Sequence, residues 1–479
     1  MSMSLSMTNP PDASLPVIIQ GGMGVAISHW GLANAVARRG QLGVISGVAL
    51  ERLLTCRLQE GDPAGHMRRA LAAFPIKALA DEVVGEWYQP NGLPAPGAYR
   101  GLQMFAVPMP ARLARLTVVA AFVEIWLAKE GHTGPVGLNL LEKIQAPILP
   151  SLYGAMLAGV DYILMGAGIP KDVPGQLDKL VKHEVVVQRL ALPDGGTTGL
   201  AFDPGLIAAG HLALRRPRFL AIVSTDVLAA SLNRIGGVDG FVVEAPVAGG
   251  HNAPPRGGAQ APDGTPMYGP RDVPDLKRLA ALGKPFWMAG GMGDAGALER
   301  AWAAGAQGVQ VGTAFALCSD SGMRPDLRAK LIAQVKAGTA VVRTDGRASP
   351  TGFPFKTVDI IGDTVDGSRV RRTCSMGYLR SAFTTPDGSV GWRCASESEV
   401  QWVAKGGAPQ DSAGRTCLCH GLLSSAGHAH AISDGQVEPA LITAGDDLVN
   451  LGRYLNGRDD YDAGVVLDHL LSGVGSATH

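Results

Sequence analysis

A chain of 479 residues is longer than one ordinary domain, so a large domain carrying an appendage is the expected organisation. Hydrophobic residues at 46% and charged residues at 18% exclude a disordered chain and supply a sizeable core. Lys plus Arg equals Asp plus Glu at 42 each and no basic run breaks the balance, so nucleic acid is excluded as an expected partner.

Residues 1–14 are polar and proline-bearing and read as a disordered tail, without the basic start and apolar core of a secretory leader. No window approaches the ~20 uninterrupted apolar residues that cross a bilayer, so no membrane association and a cytoplasmic location are expected. Strand one is expected at Val17–Gln20, running into Gly21-Gly22-Met23-Gly24. A helix follows from His29 to Arg39, with Trp30, Leu32, Ala33 and Val36 spaced along one face. Strand two is Leu42–Ser46. After a Gly/Pro-punctuated excursion at 91–101 and a helix from Leu116 to Lys129, strand three is Pro135–Leu140, carrying Asn139. Strand four is Val160–Met165. The stretch from Glu184 to Phe202 alternates apolar and polar residues around Asp194-Gly195-Gly196, a hairpin signature, and reads as an insertion.

Strands five to eight are expected at Phe219–Ser224, Phe241–Glu244, Pro285–Ala289 and Val309–Gly312, with helices at 227–235 and 295–304 between them. These are short apolar runs of the kind buried on both faces of a parallel sheet. Eight strands separated by helices predict an α/β fold, a (β/α)8 TIM barrel over residues 15–365. A further helix fits Arg324–Ala337. The two-proline stretch from Ser349 to Pro354 reads as a rigid loop able to fold back over a site. Residues 366–479 read as a C-terminal cysteine-containing appendage.

The strand ends carry the chemistry. Sites in such barrels lie at the C-terminal ends of the strands. Strand six runs into Gly249-Gly250-His251, strand seven into Gly290-Gly291, and strand eight into Gly312-Thr313. Residues without a Cβ let the backbone approach something large and flat, and their free N–H groups can donate to phosphate oxygens. Gly22 and Met23 after strand one, with Asn139 after strand three, line the same face and suit a flavin ring. His251 is the catalytic candidate, because an imidazole exchanges protons at neutral pH or carries positive charge beside an anion. Glu244 is placed to orient it or to bind ribityl oxygens. Tyr268 and Arg271 are weaker candidates for substrate contact; His29, His66 and His132 read as structural.

The segments PVIIQGGMG (16–24), LGVISG (42–47), GLNL (137–140), VEAPVAGGH (243–251), MAGGMGD (288–294) and VQVGTAF (309–315) resemble the nitronate monooxygenase, or 2-nitropropane dioxygenase-like, flavoproteins over residues 15–325. The resemblance implies FMN held with its phosphate near Gly290, Gly291, Gly312 and Thr313, its ring beside Met23 and Asn139, and His251 as the catalytic histidine. It implies a small-molecule substrate and O2 as reactants, oxidising alkyl nitronates (or nitroalkanes) to a carbonyl compound and nitrite. Similar motifs occur in NAD(P)H-dependent enoyl-thioester and quinone reductases, which form the alternative reading. A non-catalytic, flavin-binding partner module is the reading from another class, and homo-oligomerisation stays open. One departure is local: relatives commonly read EAGGH, whereas here Pro246-Val247 lengthen the loop before Ala248.

Of six cysteines, Cys374, Cys394, Cys417 and Cys419 fall within the appendage, the last two as Cys-Leu-Cys-His. Clustered thiols in a cytosolic chain suit a structural metal or an iron–sulfur cluster. His420, His428 and His430 could replace one thiolate.

Overall fold

The short apolar runs do form strands, and their length sets a closed barrel. The computed structural model describes residues 11–193, 195–262, 264–360, 374–432 and 436–474. The barrel strands are β1 (Ile18–Gln20), β2 (Leu42–Ser46), β3 (Val136–Leu141), β4 (Tyr162–Gly166), β5 (Arg218–Val223), β6 (Gly240–Glu244), β7 (Phe286–Ala289) and β8 (Gly308–Val311). All pairs are parallel and each strand lies beside its sequence neighbours, with β8 closing on β1 through Ile18↔Val309.

Because side chains alternate along a strand, each strand splits its apolar residues between two cores. Ile19, Leu42, Val44, Leu164, Leu220, Val242 and Trp287 pack together inside the barrel. Ile18, Ile45, Ile163, Phe219, Phe241 and Val309 join the larger cluster beneath the helices. Trp287 plugs the lower end, its indole N–H donating to the Pro16 carbonyl at 2.9 Å. Gly43 is required where β2 meets the helix Trp30–Ala37: a Cβ there would overlap the Ala33 carbonyl.

Each expected strand is present within two residues of its expected limits. The helix expected from Leu116 begins at Ala111, immediately after Pro110, and is buried along most of its length. Helices Leu50–Gln59, His66–Ala72 and Lys77–Trp87 fill the space between β2 and the Gly/Pro excursion, a region for which the sequence pattern gave no element. The hairpin insertion is Val186–Ala191 paired antiparallel with Thr197–Phe202; Asp194 in its turn lies outside the described residues. Of the expected N-terminal tail, residues 1–10 lie outside the described residues. Asp12 is docked instead on the barrel base, its N–H donating to Gln307 Oε1 at 2.8 Å and its carbonyl accepting from Gln307 Nε2 at 2.9 Å. Among the described residues, no helix is long and apolar enough to cross a membrane.

Among the described residues, the C-terminal segment packs largely on the barrel, with a small separate cluster of Ala348, Phe355 and Leu418. The expected boundary at residue 366 lies outside the described residues, but Met376, Tyr378, Leu423, Ile442, Leu448, Tyr461, Val466 and Leu467 all belong to the barrel's outer cluster. Tyr461 ties helix Ala463–Ser472 down, its hydroxyl donating to the Ala314 carbonyl at 2.8 Å. Tyr454 donates likewise to the Gly293 carbonyl. The physical reason is the segment's short elements, which bury too little apolar surface alone and so share the barrel's.

Candidate active site

The C-terminal ends of the strands open into one cavity of about 220 Å³. Gly22, Met23, Asn139, Gly249, Gly250, His251, Gly290, Gly291, Gly312 and Thr313 all line it, so the site residues expected in the barrel are brought together. Tyr268 and Arg271 are not part of this wall: the Tyr268 hydroxyl donates to the Ala253 carbonyl at 2.9 Å, and Arg271 is exposed.

Backbone constraints explain the glycines where they matter most. Gly290 and Gly291 adopt φ of +90° and +68°, which L side chains resist. Gly22 faces Asn139 so closely that an added Cβ would collide with the Asn139 side chain. Beyond β8, the Thr313 hydroxyl accepts from the Gly445 N–H at 2.9 Å, drawing the C-terminal segment over this end of the cavity.

His251 stands between two strands of loop. The Gly250 N–H donates to the Thr443 hydroxyl at 2.9 Å, and His251 itself makes a β-bridge to Phe355. Its ring meets the Phe355 ring edge-on with centroids 4.8 Å apart, and its Nε2 lies 2.7 Å from the Ser349 hydroxyl. Ser349 in turn bonds Thr351 Oγ1 at 2.8 Å, so the two-proline loop does fold against the site. Burial, then the charge of Lys143, holds the His251 imidazole down to a pKa of about 3. It is therefore neutral at physiological pH, whereas the sequence alone allowed a cation. Glu244 makes no hydrogen bond to His251; burial raises its carboxyl to about 7, partly offset by Lys143.

Two amide oxygens in the wall, Asn139 Oδ1 and Gln310 Oε1, are buried without a hydrogen-bond partner. Orphaned buried acceptors cost about 1–3 kcal/mol each, so they indicate donors supplied by a bound group. Gln310 escaped the sequence reading because a single polar residue in the run Val309-Gln310-Val311 is indistinguishable from an outward-facing strand position. Phe355 and the 441–445 stretch escaped it because they arrive from distant parts of the chain, and the loop from Ser349 was expected without its partner His251. Lys143, which influences both His251 and Glu244, lay in a loop with no motif.

The cysteines converge without forming a metal cage. The Gly377 N–H donates to Cys374, Ser396 bonds Cys394, and Cys417 bonds Cys419. Burial raises the Cys374 thiol and pushes Cys394 up to about 12; for Cys419 the bond from Cys417 and then burial act in the same direction. Among the described residues, no group of three or more His, Cys, Asp or Glu is placed to hold a metal ion. His420 and His428 have partners of their own, Ser375 Oγ at 2.9 Å and Glu60 at 2.7 Å. Cys419 lines the main cavity.

Against known families, residues 218–351 match the model of nitronate monooxygenase. That match covers 134 of the 479 residues and makes this part of the chain similar to the nitronate monooxygenases. The matched stretch runs from β5 through His251 and the glycine ends to Ser349 and Thr351, so it holds the half of the site richest in expected residues. No curated protein matches the chain. Among solved structures, FabK from Thermotoga maritima is 16% identical, with 96% of this chain and 92% of that one covered and a TM-score of 0.46. A nitroalkane oxidase from Streptomyces ansochromogenes is 14% identical, covering 97% and 98% at a TM-score of 0.46. The enoyl reductase domain of MlnA from Bacillus amyloliquefaciens is 11% identical, covering 98% and 97% at 0.49. At these scores none of the three carries an argument about this chain's reaction.

The residues present fit a flavin mononucleotide. A flat ring needs one wall stripped of side chains, which Gly22, Gly249 and Gly250 provide. The two orphaned amide oxygens match the N–H donor of the ring's pyrimidine edge and the hydroxyls of its ribityl chain. Gly290, Gly291 and Gly312 leave backbone approachable at the opposite end, where a phosphate would lie.

Proposed function

We propose that the protein binds FMN and oxidises alkyl nitronates with O2, two nitronates and one O2 giving two carbonyl compounds and two nitrites. The observation that carries this reading is the neutral, hydrogen-bonded His251 in the glycine-walled cavity, inside the segment matched by the family model. FMN would supply the electron acceptor for the nitronate and the donor to O2.

The chain's own residues then divide the work. Asn139 and Gln310 would hold the ring's polar edge, and the loops at Gly290–Gly291 and Gly312–Thr313 would hold the phosphate. His251 would bind the nitronate oxygens. An imidazole held neutral by burial is a weak base, so it suits an anion that arrives already deprotonated better than a neutral nitroalkane whose α-proton must be removed. An anion beside the ring favours its protonated form, and the Ser349 hydroxyl keeps the ring oriented in either state. Met23 and Phe355 help close the site to water.

The test is an anaerobic titration of the flavin-loaded protein, first with propyl-2-nitronate and then with NADPH, followed at flavin wavelengths. Bleaching by the nitronate alone supports the reading; bleaching by NADPH alone replaces it with the reductase alternative.

A further inference from the structure

A second cavity, of about 350 Å³, adjoins the first, with Tyr378 and Leu379 lining both. Its other walls come from elements that a simple barrel lacks. Leu190 and Ala191 belong to the hairpin insertion, Phe353 to the two-proline loop, and Trp392 and Trp402 to the C-terminal segment. The lining mixes these apolar and aromatic side chains with Glu142, Lys143, Gln145, Arg380 and Arg393, in the size range of a small-molecule chamber.

Into this wall the chain places Lys143. Its Nζ is buried and meets no hydrogen-bond partner; the closest compensation is the Phe353 ring, whose centroid is 3.1 Å away. A buried amine without a counter-ion is costly, and burial lowers its pKa to about 7. The charges of Glu142 and Glu244 offset this only in part, and neither carboxyl bonds the amine. Glu142 accepts from Gln145 Nε2 at 2.8 Å and burial raises its carboxyl, while Glu244 and His251 lie toward the first cavity. Of the two other cations lining this chamber, Arg380 is committed to the Gly377 and Phe105 carbonyls at 3.2 and 2.7 Å, and Arg393 donates to the Lys405 carbonyl at 2.8 Å and lies over the Phe383 and Trp402 rings. Of the three, Lys143 makes no hydrogen bond at all among the described residues, which marks it as the cation to receive a ligand.

We propose that the second cavity binds the alkyl body of an amphipathic organic acid whose anionic head pairs with Lys143, so that the substrate is a chain-bearing acid and not a simple nitroalkane. The proposal deepens the nitronate reading and rests on it only for the reacting end of the molecule. The head group can be a carboxylate or a phosphate, which share a negative charge and multiple acceptor oxygens.

Isothermal titration of the flavin-loaded protein with octanoate, octyl phosphate and octanol separates these sources. Octanoate or octyl phosphate should bind at least about 10-fold tighter than octanol, the size of one buried charge-assisted hydrogen bond. Lys143→Met should abolish that preference while retaining octanol binding, and Lys143→Arg should keep it. Equal binding of all three by the wild type, or an unchanged octanoate affinity in Lys143→Met, would overturn the proposal. In parallel, kcat/KM for the nitronate of 8-nitrooctanoate should exceed that for the nitronate of 1-nitrooctane in the wild type and match it in Lys143→Met. If no nitro compound turns over but the acid preference and its loss in Lys143→Met are seen, the reaction reading fails and the acid-binding chamber stands.

Discussion

Nε2 of His251 and the hydroxyl of Ser349 stand 2.7 Å apart although 98 residues separate them in the chain. The bond joins the AGGH turn of the barrel to the two-proline loop and fixes the plane of the imidazole. Replacing Ser349 by Ala leaves the ring free to rotate and removes a hydrogen bond worth about 1 kcal/mol. Nitronate turnover should then fall by about 10-fold with FMN content unchanged. His251→Asn should retain yellow, FMN-bound protein and lose about 100-fold or more in kcat/KM, in the range of a positioned acid–base group. Steady-state kinetics with equal flavin occupancy check both. Unaltered kinetics in His251→Asn would remove this residue from the site.

Gly22 and Asn139 make a sharper steric test. A methyl group at position 22 collides with the Asn139 side chain, one of the two orphaned acceptors. Gly22→Ala should weaken FMN binding at least 10-fold, read by flavin-to-protein ratio after gel filtration and by fluorescence titration. Gly308→Ala, where the added Cβ would overlap the Val17 carbonyl at the far end of the barrel, should act differently. It should lower the melting temperature by overpacking, at about 1–3 kcal/mol, with no specific effect on flavin affinity in the surviving folded protein.

Two titrating groups near the cavity give opposite pH dependences. His251 titrates at about 3 when folded against an ordinary 6.5, so the unfolded chain binds the proton first; its contribution to stability is present above 6.5 and lost as pH falls toward 3. Glu244 titrates at about 7 against an ordinary 4.5, so its contribution is present below 4.5 and lost as pH rises through 7. The melting temperature of His251→Asn relative to wild type should therefore climb as pH drops from 6.5 to 4.5. That of Glu244→Gln should climb as pH rises from 4.5 to 8. Parallel curves for both variants and the wild type would contradict these assignments.

The C-terminal segment should not melt separately. Leu467 is fully buried in the cluster that also holds the barrel's Phe219 and Val309. Leu467→Ala should cost about 2–5 kcal/mol and lower one shared transition, seen at the same temperature by far-ultraviolet circular dichroism and by flavin fluorescence. An early separate transition confined to one probe would show an independent appendage.

The barrel was legible because its strands are short apolar runs ending in glycines, a pattern that neither an amphipathic helix nor a half-exposed strand produces. The same endings pointed to part of the cavity wall, which Gly22, Gly250, Gly290 and Gly312 line. Period and motif could not reach Phe355, Thr443 or Lys143, and named the loop from Ser349 without its bond to His251, because these placements depend on loops folding back from distant sequence. The four C-terminal cysteines were legible as neighbours. Their reading as metal ligands finds no group of three or more placed to hold a metal ion among the described residues. The choice the sequence left open for His251, proton exchange or a positive charge, was open for a related reason: a sequence shows which group titrates, whereas burial decides where.

The anaerobic half-reaction tests the central claim most directly. Flavin-loaded protein mixed without oxygen should bleach within its turnover time on adding propyl-2-nitronate and stay yellow in excess NADPH. Rapid bleaching by NADPH, with the nitronate leaving the spectrum untouched, would contradict the account.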